Sequence, residues 1–309
     1  MSRPMCWPKL NKAGNSQSVA GWGLVLGILL TCVGILALPQ PTWAGPFQQG
    51  VAAATRGDYA AATDYFTQAV KQGDHPGAAW GNRCAIAVQM NALDSAVDDC
   101  TEALGLRPDH PQPYLHRGLA LYRLGQYAAA IADFSHYLAA QPGDALAHYN
   151  RGLAAFAQGQ YETAIADYHA ALAHRSQLQA SAQASLYNDL GLLHMAQSQP
   201  AVAMAYLDQA IALDAQDPRA YFNRGCICHH QKHYAAALSN FEQALALDPN
   251  HGDAYLNRGV TRHALGDEAG AIADWQQAAQ AFRDQGEARG YHQAQRLLRQ
   301  VQEIPVTVG

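Results

Sequence analysis

From Trp80 to Trp275 the chain repeats one pattern of large, small and polar positions. Trp80, Tyr114, Tyr187, Tyr221 and Tyr255 are each followed four residues later by a small residue, Cys84, Gly118, Gly191, Gly225 and Gly259; Gly152, with Tyr149 shortly before it, fills the missing row. Cys84, Gly118 and Gly152 stand 34 residues apart, as do Gly191, Gly225 and Gly259, whereas Gly152 and Gly191 are separated by 39. One insertion of five residues, near 179–183, therefore interrupts a constant register. Each unit continues through a turn such as Gly125-Gln-Tyr127, Gly159-Gln-Tyr161 or Lys232-His-Tyr234. A small residue follows (Ala130, Ala164, Ala203, Ala237, Ala271), then a bulky one (Phe134, Tyr168, Leu207, Phe241, Trp275). Intervals of three and four place such residues on one face of an α-helix. Gly or Asn between two helices accepts a left-handed backbone, and Pro108, Pro142 and Pro249 end second helices, because proline cannot continue the hydrogen-bond ladder. The pattern predicts two antiparallel helices per unit, their close approach permitted by the small residues. Beyond it, Tyr291, Ala294, Leu298 and Val301 recur opposite Arg289, Gln293, Arg296 and Arg299. That predicts a helix over 287–303 with one wet face, suited to capping a stack of repeats.

The aromatic, the small residue, the Ala, the bulky residue and the closing Pro at these places resemble the tetratricopeptide repeat, a helix–turn–helix unit of 34 residues. The resemblance covers about seven units, 43–76, 77–110, 111–144, 145–178, 184–217, 218–251 and 252–285, the first being weakest. It implies an all-α fold, a right-handed superhelical solenoid ending in a capping helix, in which the first helix of each unit lines a concave surface. It also implies a non-catalytic protein–protein interaction scaffold or assembly factor that takes an extended or helical peptide segment in that groove. The chain then divides into a leader (1–44), the array (45–285) and a cap with tail (286–309).

The units can be compared with one another. Where the family usually has Leu, this chain has Arg83, Arg117, Arg151, Arg224 and Arg258, but Leu190 in the fifth unit and Gln49 in the first. Sixteen residues later stand Asp99, Asp133, Asp167, Asn240 and Asp274, against Tyr206 and Tyr65 in the units without Arg. Acid appears only where Arg appears, so Arg–Asp pairs are expected between the two helices of a unit, bidentate where geometry permits. The preceding place reads Asn82, His116, Asn150, Asp189, Asn223 and Asn257. In related arrays a ladder of Asn there holds a peptide backbone, for which an amide, both donor and acceptor, is suited; the alternative is that Asn bonds a neighbouring helix. The remaining inner places are Leu115, Leu119 and Tyr122, then Tyr149, Leu153 and Phe156, then Leu192 and Met195, then Phe222, then Leu256 and Val260. An apolar lining of this kind signals a protein partner, although part of it is expected to pack between helices. The Lys and Arg arrangement by which chaperone-binding relatives clamp a C-terminal carboxylate is missing.

Composition narrows the function. Hydrophobic residues make up 49% and charged residues 15%, too apolar for a disordered chain. Arg3, Lys9 and Lys12 are the only charges in 1–44, so the remaining 17 cations against 25 acids leave −8. An acidic remainder argues against nucleic acid as partner, since such affinity rests on phosphate neutralisation. The three cations precede an uncharged apolar run, Val19 to Leu38, with a possible cut after Ala44. This reads as a secretory signal peptide, while its length of 20 residues also suits an uncleaved membrane anchor, the only membrane contact expected. Either reading sends the array across the membrane, to a periplasm or equivalent lumen. Cys32 with Leu29-Leu30-Thr31 matches a lipoprotein box only loosely.

Cys84 and Cys100 replace the small and the bulky residue of the second unit together. In an oxidising compartment they either form a disulfide, worth about 3 kcal/mol for such a loop, or remain two buried thiols. Cys226, His229, His230 and His233 recur at three or four residues on one helix, with His263 expected one unit away. Such side chains hold Zn or Cu when tetrahedral geometry is available, so Cys226, His229, His230 and His263 define an alternative, a metal-binding or metal-delivery protein. An accessory subunit of an envelope enzyme is a further alternative. No phosphate loop, nucleophile elbow or zinc-protease motif appears, and no cofactor is expected.

Overall fold

The computed structural model describes residues 45–302. The basic end, the apolar run 19–38, Cys32 and the cut after Ala44 lie outside the described residues, as does the tail after 302. Among the described residues no helix is long and apolar enough to cross a membrane. The described chain is all-α: fifteen α-helices, one 3₁₀ turn at Arg175–Gln177 and no strand. It divides into two compact units, residues 45–178 and 179–302, whose boundary falls at the insertion seen in the repeat register.

The first unit holds four helical hairpins. These are α1 (Pro46–Thr55) with α2 (Tyr59–Gln72), α3 (Pro76–Gln89) with α4 (Leu93–Leu106), α5 (Pro111–Arg123) with α6 (Tyr127–Ala140), and α7 (Ala145–Ala157) with α8 (Tyr161–Ala173). The second holds α9 (Ala180–Ala196) with α10 (Pro200–Leu213), α11 (Pro218–His230) with α12 (Tyr234–Leu247), α13 (Gly252–Ala264) with α14 (Glu268–Asp284), and the closing α15 (Ala288–Gln302). Within each unit consecutive helices pack on one another. The inserted residues lengthen α9, which has 17 residues where α7, α11 and α13 have 13; its extra turn is N-terminal. The predicted cap is present: Tyr291, Ala294, Leu298 and Val301 pack with Trp275 and Phe282, while Arg289, Arg296 and Arg299 face solvent.

The same place turns each hairpin. Gly57, Asn91, Gly125, Gly159, Ser198, Lys232 and Gly266 all take positive φ, between 58° and 82°. Gly and Asn suit that conformation, whereas Ser198 and Lys232 adopt it against preference because the hairpin around them is otherwise complete. Inside the hairpins the small and bulky places meet. A Cβ added at Gly118 would lie 2.8 Å from the Phe134 ring, at Gly152 2.5 Å from Tyr168, and at Gly225 2.7 Å from Phe241. Glycine is required there by the closeness of the ring and not by backbone φ. In the second hairpin Cys84 and Cys100, both fully buried, are joined by a disulfide, so a covalent bond stands where the others have ring against glycine.

The Arg–Asp pairs are formed as expected. Arg117 donates from Nε and Nη2 to the two carboxylate oxygens of Asp133, both at 2.8 Å. Arg151 reaches Asp167 at 2.8 and 2.7 Å, Arg258 reaches Asp274 at 3.0 and 2.7 Å, and Arg83 grips Asp99 in the same two-pronged way. In the sixth repeat, where Asn replaces Asp, Arg224 donates to Asn240 Oδ1 at 2.7 Å and takes its counter-charge from Asp208 of the preceding repeat, 2.8 Å away. Two further partners of these arginines are visible only in three dimensions. The Nη1 groups of Arg83, Arg117 and Arg151 each donate, at 3.1 Å, to Thr67, Thr101 and Ser135 of the repeat before. The guanidinium planes of Arg83, Arg117, Arg224 and Arg258 also lie by Trp80, Tyr114, Tyr221 and Tyr255, at 4.2 to 5.8 Å. Arg83, Arg117 and Arg224 thus each tie their own hairpin and its neighbour with one side chain, and the ring three residues earlier shields it.

Candidate peptide-binding groove

The residues predicted to face a ligand all lie on first helices: α3, α5 and α7 in one compact unit, α11 and α13 in the other. In the first unit α5 touches both α3 and α7, so these three helices form a continuous surface. Leu115, Tyr122, Leu153 and Phe156 are half-buried there. The Tyr122 ring packs on Tyr127 at 5.8 Å, and Phe156 on Tyr161 at 5.9 Å. Each is anchored on the following helix while part of its surface remains open. Four members of the predicted lining belong instead to the core, Met195 and Leu256 in the second unit and two in the first. Leu119 is 3% exposed in an apolar cluster with Val88, Phe134 and Ala154, and Tyr149 is 2% exposed against Tyr168. In the second unit Phe222 is half-buried between Phe241 and His251.

The polar ladder divides into two groups. Asn223 donates from Nδ2 to Asn188 Oδ1 on the neighbouring helix α9 at 2.8 Å, and Asn257 donates to the Asp253 carbonyl of its own helix at 2.8 Å. Both are buried and engaged within the protein, the alternative weighed for this place. Asn82, by contrast, lines a cavity of about 450 Å³ with Ala54, Thr55, Arg56, Gly57, Tyr59, Phe66, Ala85 and Ile86. The cavity exists because Ala54 and Ala85 are small where the next repeat has Val88 and Leu119. Asn150 is 7% exposed. His116 completes this group, and its buried Nδ1 has no hydrogen-bond partner. Burial, and secondarily the nearby His110, lowers the His116 pKa to about 4, so its ring is neutral near pH 7 and offers one donor and one acceptor, as an amide does.

The metal alternative is not supported by the arrangement. Cys226 is buried in an apolar cluster with Ala203, Leu207 and Phe241. His229 Nδ1 lies 2.9 Å from Thr261 Oγ1, whose hydroxyl donates to the Asn257 carbonyl, so the histidine donates to it. His263 is paired with Glu268 at the exposed end of its helix. Among the described residues no group of three or more His, Cys, Asp or Glu is placed to hold a metal ion. Helical spacing aligned Cys226, His229 and His230, but that face is shared between core and neighbouring helix.

Equivalent hairpins, each burying its apolar faces against the next within either unit, with partly open first helices, define an α-helical repeat protein of the interaction-scaffold class. Comparison with known proteins gives the family. Tetratricopeptide repeat profiles match residues 84–149 and 190–256, residues 145–178, and residues 47–111 and 230–288. The chain belongs to the tetratricopeptide repeat family, and arrays of this family are in general protein–protein interaction scaffolds. Among curated proteins it is 34% identical over 82 residues to the heat shock protein sti1 homolog of Schizosaccharomyces pombe, and 33% over 82 residues to the protein STIP1 homolog of Dictyostelium discoideum. Those stretches cover 26% of this chain and only 14% of either relative. A tetratricopeptide repeat protein from Parabacteroides merdae superposes with a TM-score of 0.60 at 18% identity, over 82% of this chain and 96% of its own. Pseudomonas aeruginosa pilF does so with 0.59 at 16% identity, over 72% and 98%. At such identities these structures speak for the fold alone.

Proposed function

We propose that this protein is a non-catalytic scaffold or assembly factor that holds an apolar segment of a protein partner on the first-helix face of residues 45–178. The observation that carries the reading is the contiguous, anchored and half-open apolar set Leu115, Tyr122, Leu153 and Phe156 on two adjacent helices. Aromatic side chains held rigid by their neighbours lose little entropy when covered, which suits them to binding. The proposal extends to location: the array works outside the cytoplasm, exported or tethered by residues 19–38. The Cys84–Cys100 disulfide supports this, since such bonds persist in oxidising compartments.

The test is affinity capture with the full chain, comparing wild type with Asn150→Ala, Leu153→Asp and Phe156→Asp combined, after circular dichroism confirms equal helicity. Disappearance of specific partners is expected; an unchanged set of partners refutes the groove reading. For location, an alkaline phosphatase fused after residue 302 should be active in cells. Thiol trapping should also find Cys84 and Cys100 oxidised without added oxidant; reduced thiols in freshly lysed cells refute export.

A further inference from the structure

A helix that closes a run of repeats needs a polar outer face, but polarity does not require charge of a single sign. The outer face of α15 has one sign only. Arg289, Arg296 and Arg299 are exposed, α15 contains no Asp or Glu, and none of the three has a hydrogen-bond or ion-pair partner among the described residues. The arginines inside the repeats are engaged: Arg83, Arg117, Arg151 and Arg258 by an aspartate each, and Arg224 by Asn240 and Asp208. The acids that most closely precede α15 are Asp284 and Glu287, and Asp284 accepts from Gln280 at 2.8 Å. The exposed middle of α14, Ala273, Gln276, Gln277 and Gln280, is uncharged. Residues 45–309 sum to −8, so this face has the opposite sign to the chain that carries it.

The face is also fixed in orientation. Ala294 and Leu298 are buried in the cluster of Trp275 and Phe282, with Tyr291 and Val301 beside them, so the helix cannot roll and its other side stays outward. Intervals of seven and three residues put the three arginines within about 80° of arc, in a row about 15 Å long. Unpaired guanidinium groups match anionic oxygens, which they take two at a time. The row lies on the outside of a single helix, where an acidic protein would have to supply carboxylates at matching positions. Phosphates of a fluid anionic bilayer move to each guanidinium and need no such match. Nucleic acid also carries phosphates, but the location proposed above keeps it out of reach. Charges more than about 8–10 Å from the contact are screened at physiological salt, so the acidic remainder does not cancel the row.

We propose that the outer face of α15 docks on an anionic lipid surface through Arg289, Arg296 and Arg299, a second membrane contact besides residues 19–38. An arginine at such a surface strengthens binding about fivefold, so three supply about a hundredfold. That is too little to hold a protein at a membrane unaided, and it suits a chain already tethered, for which the contact is intramolecular. The docking is independent of the groove and rests on the location reading, which brings the array to a membrane face.

The full chain is reconstituted with vesicles of phosphatidylcholine, alone or with about one-third phosphatidylglycerol, and its arginines are modified with phenylglyoxal and followed peptide by peptide by mass spectrometry. The apolar run is common to both samples, and exposed Arg107 on α4's C-terminal side is the reference. Modification of Arg289, Arg296 and Arg299 should slow about fivefold or more on the anionic vesicles relative to Arg107, and about 0.5 M salt should remove the difference. Arg289→Gln with Arg296→Gln should weaken docking about 25-fold and so end the protection of Arg299. Circular dichroism should stay unchanged, because these side chains are exposed. Equal rates on the two vesicles, or protection shared by Arg107, overturn the proposal. Protection by poly-glutamate or duplex DNA but not by vesicles overturns it too, since the face then takes an acidic macromolecule. If the phosphatase fusion is active and the arginines are unprotected, the docking falls and the location stands; protected arginines with an inactive fusion mean the reverse.

Discussion

The second hairpin offers a test of how this array is held together, because there a disulfide occupies the place where other repeats press a ring against glycine. Cys84 and Cys100 are fully buried, and the corresponding pairs are Gly118 with Phe134, Gly152 with Tyr168 and Gly225 with Phe241. Closing a loop of this length stabilises by about 3 kcal/mol on the chain-entropy estimate. Cys84→Ala with Cys100→Ala removes the bond and leaves a small void as well, for a total cost of about 4–5 kcal/mol. Cys84→Gly with Cys100→Phe also removes the bond, but burying a Phe ring returns about 2–3 kcal/mol, less about 1 kcal/mol for glycine within a helix. The Gly/Phe variant should therefore be about 2–3 kcal/mol more stable than the Ala/Ala variant and indifferent to reductant, whereas the wild type should weaken on reduction. Since repeats unfold together with their neighbours, amide exchange in α3 and α4 is the direct readout, with urea melts of the whole chain beside it. If Gly/Phe proves no more stable than Ala/Ala, or if reduction leaves wild-type exchange unchanged, the equivalence of bond and ring is refuted.

Other consequences follow from the same packing. Arg151→Met removes the bidentate partner of Asp167, 3% exposed, and leaves it His148 Nδ1 at 3.1 Å; it should cost about 3 kcal/mol, the low end for a broken buried pair, whereas Arg151→Met with Asp167→Leu should cost clearly less in chemical denaturation; equal losses would refute the pairing. Gly225→Ala places a Cβ 2.7 Å from the Phe241 ring and should destabilise by about 1–3 kcal/mol, with Phe241→Leu partly restoring the melt; a silent Gly225→Ala would show that the hairpin can open. The His116 pKa is lowered from 6.5 to about 4 on folding, so the unfolded chain takes up the proton first. Its contribution to stability should be complete above pH 6.5 and decline as pH falls toward 4. His116→Gln should flatten that part of the pH–stability profile, and an unaltered profile would show that the ring is not desolvated. Zinc should not raise the melting temperature, given the separate commitments of Cys226, His229 and His263; a zinc-dependent rise lost in His229→Ala would reverse that conclusion.

What the sequence by itself determined is what lies within a hairpin. A 34-residue unit with two helices and a short left-handed turn leaves little choice in which residues meet sixteen apart. Hence Arg83 with Asp99, Gly118 with Phe134 and Cys84 with Cys100 were legible from spacing alone, as was the cap formed by Tyr291, Ala294, Leu298 and Val301. Contacts between hairpins depend on how each rotates and slides on its neighbour, and a 3.6-residue periodicity carries no record of that. The reach of Arg117 to Thr101, the aromatic shields and the bond from Asn223 to Asn188 were therefore decided only by the tertiary structure, although Ser or Thr sixteen residues before three of the arginines was a signal in plain sight. The same rotation buried Leu119 and Tyr149, left Tyr122 and Phe156 half open, and turned Cys226 into the core while His229 bonded Thr261. Asn82, Asn150, Asn223 and Asn257 are identical letters at identical places in the repeat. Their different fates arise because a hydrogen bond depends on the neighbouring surface as well as on the residue that makes it.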